Sequence, residues 1–229
     1  MHRYDIFRPL VYLLAFIVVS FALAEWACGQ TTAKNGDPKT GEVSLPAADD
    51  WRAYLVHESQ SGIWTCGTVN LFEAHGCPQI FGLDDQGHCT IVHSYSGKWT
   101  PNESCEDDAW LGAYAEVDLD PNQVGPEFYV GGKSGHLYRI RPGPGEVLQS
   151  EILLTFPGSE LHTFVAGDLD PQRDGQELIA FTRDGEVHRI EPPQRFGESW
   201  TSVRLSDIGG RARQAAVLPS PDTGTPRIV

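Results

Sequence analysis

Apolar and polar positions alternate in short runs through most of this chain, and no helical period is sustained beyond its first 24 residues. Glu186-Val187-His188-Arg189-Ile190 alternates as a strand with one wet face does. Before it, residues 177–181 form a short apolar run bounded by Gly175 and by Asp184-Gly185. Asp-Gly marks a tight turn, because glycine accepts positive φ at no steric cost. Phe164-Val165-Ala166 supplies an earlier strand, Pro192-Pro193 ends the alternating one, and residues 200–205 supply a fourth. The pattern predicts four short antiparallel strands in about 50 residues, the size of one β-propeller blade.

The unit recurs. Asp118-Leu119-Asp120-Pro121 returns as Asp168-Leu169-Asp170-Pro171, and in that register Gly125, Glu127, Gly135, Arg139-Ile140 and Pro142 fall on Gly175, Glu177, Gly185, Arg189-Ile190 and Pro192. Ten identities in 25 positions make this the strongest signal in the sequence. A weaker copy precedes it, with Val69-Asn70-Leu71 under Val117-Asp118-Leu119 and Gly87-His88 under Gly135-His136. A fourth begins near residue 218 and holds two strands, and residues 51–56 resemble a lone fourth strand. The expected fold is therefore all-β: propeller blades over residues 49–229, in an incomplete or truncated ring.

The N-terminal 24 residues read separately. His2, Arg3 and Arg8 precede an apolar run that ends in Ala22-Leu23-Ala24, the layout of a secretory signal peptide, with an uncleaved anchor as the alternative. Glu25 and Trp26 stand where a lipobox before Cys28 would need aliphatic and small residues. Residues 25–48 read as a flexible linker. Export to an extracellular, periplasmic or cell-surface location follows. In such a compartment Cys66, Cys77, Cys89 and Cys105 are candidates for two disulfides, with three pairings open. Acidic residues outnumber basic ones 31 to 17, for a net charge of −14. That excess argues against a nucleic-acid partner and against docking on anionic lipid, leaving membrane attachment to an uncleaved or lipidated N-terminus.

The turn from Gly167 through Asp168, Asp170, Asp174 and Gly175 to Glu177 resembles the FG-GAP and VCBS propeller repeats, whose loop carboxylates bind Ca²⁺. Two extra residues between Asp170 and Asp174 make it similar also to the propeller loops of rhamnogalacturonan lyases. The resemblance spans about residues 51–229 and implies Ca²⁺ ligands at Asp168, Asp170, Asp174 and Glu177, and at Asp118, Asp120 and Glu127 in the preceding copy. A metal-free turn would use the same residue types, since Asp side chains bond nearby backbone N–H groups. Arg139 and Arg189 recur with the repeat and are expected to bridge carboxylates between strands. No nucleophile elbow, zinc-protease, P-loop or dinucleotide motif occurs. The expected function is a binding or adhesion module for a protein or polysaccharide, with no residue assigned to catalysis; a fragment or relative of a Ca²⁺-dependent polysaccharide lyase is the alternative.

Overall fold

Each of the first three repeats folds into one four-stranded antiparallel sheet in which neighbours in sequence are neighbours in space. The computed structural model describes residues 55–72, 76–95, 98–170, 172–195, 197–218 and 226–229. The expected signal peptide and linker, residues 51–54 of the lone strand, and Pro171 and Pro221 lie outside the described residues. The first sheet holds β1 (Ile63–Val69), β2 (Gln79–Asp84), β3 (His88–Tyr95) and β4 (Lys98–Glu106). The second holds β5 (Leu111–Val117), β6 (Glu127–Gly132), β7 (His136–Pro142) and β8 (Leu148–Thr155). The third holds β9 (Leu161–Gly167), β10 (Glu177–Thr182), β11 (Glu186–Glu191) and β12 (Thr201–Asp207). β13 (Val217–Leu218) and β14 (Arg227–Ile228) form a two-stranded hairpin, and the described helix is a single 3₁₀ turn at Pro144–Glu146.

The second strand of each sheet is the buried one. Every residue of β6 and β10 is buried, which is why these segments read as unbroken apolar runs rather than alternating ones. Their faces separate by parity: Phe128 and Val130 join a core with Phe81, Leu83 and Ile91 of the first sheet, whereas Tyr129 points into a core with Leu161, Leu178 and Ala180 of the third. Ile179 and Phe181 in turn face Val165, Val187 and Val217. Each four-stranded sheet is thus packed on the next through a layer of buried apolar side chains, within one compact unit from Val56 to Val229. Full burial of side chains such as Phe128 or Leu178 contributes about 1.5–3 kcal/mol each. β12 is exposed along its whole length.

Register irregularities recur at matching positions. The β1–β2 ladder skips Trp64, β5–β6 skips Gly112 and β9–β10 skips His162, so each first strand carries one bulge near its start. A second bulge falls between third and fourth strands, at Ser104, Leu153 and Leu205. The tight turns joining second to third strands close alike. At Gly135 (φ +77) a Cβ would lie 2.4 Å from the Phe156 carbonyl oxygen, which leaves room only for glycine. β5 lies beside both β1 and β9, and β9 beside β13, so the first strands stand side by side.

Candidate functional site

The Asp-rich turns are held from the first residue of each second strand. Gln79 Oε1 accepts hydrogen bonds from the Leu71 and Phe72 N–H groups at 2.8 and 3.2 Å. Glu127 Oε2 accepts from the Leu119 N–H at 3.0 Å, and Glu177 Oε2 from Leu169 and Asp170 at 2.7 and 3.4 Å. All three side chains are buried, so each satisfies turn N–H groups that would otherwise be orphaned. A neutral glutamine does this work in the first repeat, so the geometry of the turn does not depend on a carboxylate. Asp120 and Asp170 then cap their own turns, accepting from the Asn122 and Gln172 N–H groups.

The recurring arginines reach these carboxylates differently. Arg139 donates from Nη1 to Asp120 at 2.5 Å and from Nη2 to Glu151 on β8 at 2.6 Å, with Glu127 at 3.6 Å. Its guanidinium is nearly buried and lies 5.2 Å from the centre of the Trp200 ring. Burial works against the Asp120 carboxylate, yet the Arg139 and Asn122 hydrogen bonds outweigh it and hold the group below its ordinary range. Glu127 goes the other way: burial pushes it up, against the Leu119 N–H and Arg139. Arg189 instead turns to Glu191 on its own strand at 2.6 Å and stands 3.9 Å from Asp170.

Calcium takes six to eight oxygen ligands. At the 118 turn the carboxylates are already engaged by Arg139 and by backbone N–H groups, and Asp118 is exposed, so this arrangement does not fit the ion. At the 168 turn Asp168 and Asp174 are exposed and make no hydrogen bond or ion pair among the described residues. No group of three or more His, Cys, Asp or Glu side chains that could hold a metal is gathered among the described residues. Of the four cysteines, Cys89 and Cys105 face each other directly across β3 and β4, both buried, and burial with the neighbouring thiol pushes Cys89 well above its ordinary value. Cys66 pairs with Gly82 in the β1–β2 ladder, and Cys77 lies just before β2.

A broad concavity lies elsewhere. The starts of β1, β5 and β9 and the segment 211–216 line a cleft of about 930 Å³. The bulges set its wall, since a bulge re-aims the side chain it carries. Trp64 and His162 are bulge residues, and between them the third bulge position is Gly112. A Cβ at Gly112 would lie 3.1 Å from the Trp110 ring, so the missing side chain makes room for that indole to lie over the strand. The result is a file of side chains: Trp64 to Trp110 at 5.5 Å between ring centres, Trp110 to His162 at 5.3 Å edge-on, and Arg211 Nε donating to His162 Nδ1 at 3.3 Å. Trp64 is 61% exposed. Burial, with Arg211 beside it, pulls the His162 imidazole below its ordinary value, and the Arg211 bond places its proton on Nε2. That Nε2 is buried without a hydrogen-bond partner, 3.6 Å from Glu160.

None of the carboxylates singled out from the sequence lines this cleft; His162 and the tryptophans draw attention in the sequence, but no residue that lines the cleft is assigned a site role from it. A signal existed: Trp64, Gly112 and His162 stand 48 and 50 residues apart, in register with the repeat. Trp110, two positions ahead of its counterpart, breaks that register and hides the file. No protein-family model matches the chain, and no curated protein matches it in sequence.

Proposed function

We propose that this chain is an exported repeat protein of the β-propeller type, akin to FG-GAP and VCBS repeats, that works as a binding module and takes its ligand in the cleft of the first strands. The observation that carries this reading is that three successive sheets and the segment after them contribute wall residues to one cleft, with bulges at matching positions aiming side chains there. A module of this kind collects contributions from several repeats at one place, the usual siting of a ligand in a concave surface. The aromatic wall suits a polysaccharide, because an exposed indole face can cover the apolar face of a sugar ring. Calcium belongs to this reading at the 168 turn, as a structural ion between exposed loop carboxylates. The full chain on an array of oligosaccharides tests the assignment. Retention that disappears in Trp64→Ala is expected; retention unchanged by that substitution would place the ligand elsewhere.

A second reading, a relative of Ca²⁺-dependent polysaccharide lyases, rests on the form of the 168 turn, in which two extra residues separate Asp170 from Asp174 ahead of Gly175 and Glu177. A lyase needs a base for the acidic ring proton and a cation for the developing charge. Ultraviolet absorbance from an unsaturated sugar end on incubation with acidic polysaccharide would favour it, and a flat trace would leave binding alone.

A further inference from the structure

The charge of the cleft runs against the charge of the chain. The protein carries a net charge of −14, yet no Asp or Glu lines the cleft, while Arg211 and Arg213 do. Most of the other described arginines are matched, Arg195 being an exception. Arg139, Arg141, Arg173, Arg183, Arg189 and Arg204 each lie within ion-pair distance of a carboxylate. Arg211 and Arg213 have no such partner among the described residues; Arg211 is anchored only through Nε, which leaves both terminal nitrogens of its fork open. Unpaired guanidiniums beside an acid-free wall mark a place prepared for an anion supplied from outside.

The same wall says what carries that anion. Trp64 and Trp110 give a broad aromatic face at one end of the file, and Arg211 ends it at the other. Between them sits the His162 ring, its Nε2 buried 3.6 Å from the Glu160 carboxylate. Thr163 and Gln214 add hydroxyl and amide groups to the lining. An apolar face, hydroxyl groups and a planar anion come together in an acidic sugar. A peptide side chain would instead want an enclosed apolar pocket as its anchor, and Trp64 is too exposed to form one.

We infer that the cleft is a subsite for a uronate-containing polysaccharide, with the Trp64–Trp110 pair covering a pyranose face and Arg211 with Arg213 gripping the carboxylate. This rests on the binding-module reading above and adds the sign of the charge. Arg is suited to the second task because its planar fork matches a carboxylate with two parallel hydrogen bonds.

The test is calorimetric titration of the full chain with a hexuronate oligosaccharide, a neutral glucan oligosaccharide of equal length, a sulfated oligosaccharide, and an oligoglutamate peptide. Hexuronate is expected to bind tightest and to weaken as salt is raised. Arg211→Ala with Arg213→Ala, both exposed and so expected to keep the thermal midpoint, should weaken it about tenfold or more. Trp64→Ala should weaken hexuronate and glucan alike; it is the safer aromatic variant, since Trp110 packs over Gly112 and its loss would disturb the strand itself. Equal binding of hexuronate and glucan, unmoved by the arginine pair, would overturn the charge assignment while leaving a sugar-binding module. Tighter binding of the sulfated sugar or of oligoglutamate would overturn the uronate assignment. No binding of any probe would sink both readings.

Discussion

The 118 and 168 turns share ten identities across 25 positions, yet one encloses a buried ion network and the other an open one. In the second sheet Arg139 is covered by Trp200, which precedes the fourth strand of the next sheet, and is matched by Glu151 from its own fourth strand. In the third sheet the residue paired opposite Arg189 is Val203, no aromatic ring lies over the guanidinium among the described residues, and the partner carboxylate comes from Glu191 two positions along. The side chains of Arg139 and Asp120 are 6% and 5% exposed; those of Arg189 and Asp170 are 21% and 37% exposed. Identical turn residues therefore acquire their energetics from the sheet that packs over them, not from the turn.

The largest expected effect tests that difference directly. Arg139→Ala leaves Asp120 and Glu127 buried without a counter-charge and is expected to cost about 3–5 kcal/mol. Arg189→Ala removes a half-open pair and should cost about 0–1 kcal/mol. Urea unfolding of both variants decides it; equal losses would mean that the covering sheet is irrelevant and the comparison false.

A smaller effect sharpens the role of the glutamates. Glu127→Ala orphans the Leu119 N–H in a buried site and should cost about 1–3 kcal/mol, whereas Glu127→Gln, copying Gln79, keeps the acceptor and should cost much less. The pH dependence has a definite sign. Glu127 is raised in the folded chain, so its contribution is present below its ordinary value near 4.5 and is lost as pH rises through the folded value. Asp120 is lowered, so its contribution is present above 3.8 and is lost as pH falls through the folded value. Hence Glu127→Gln should gain on the native chain as pH rises above about 4.5. A constant difference across that range would show that Glu127 is not held against ionisation.

Much of this arrangement was legible beforehand. The third-sheet strands fall where alternation, Asp184-Gly185 and Pro192 put them, because turn chemistry is local and hydrophobic parity is set by burial. Arg139 bridging carboxylates followed from its recurrence beside acidic turns. The covering of Arg139 by Trp200 did not, since it joins residues 61 apart across a sheet interface that no local pattern encodes. The cleft was hidden for a related reason. Whether Trp64 faces a core or a cleft depends on a bulge, and a bulge is a fact about the partner strand's register. The cysteines lie between these cases: spacing left three pairings open, and only the β3–β4 register brings Cys89 opposite Cys105.

The smallest expected effect concerns calcium, and it divides the two turns a second way. If Arg139 already satisfies the 118 carboxylates, added Ca²⁺ has nothing to gain there, whereas Asp168 and Asp174 stand exposed and unengaged. At ten times its Kd a bound ion stabilises by about 1.4 kcal/mol, enough to raise a thermal midpoint measurably. The rise should vanish in Asp168→Ala with Asp174→Ala and survive Asp118→Ala. An effect lost in Asp118→Ala instead would put the ion at the turn that the arginine fills, and the two electrostatic solutions would then be one. A midpoint indifferent to Ca²⁺ in the native chain would leave both turns as metal-free architecture, differing only in how deeply the next sheet buries their arginine.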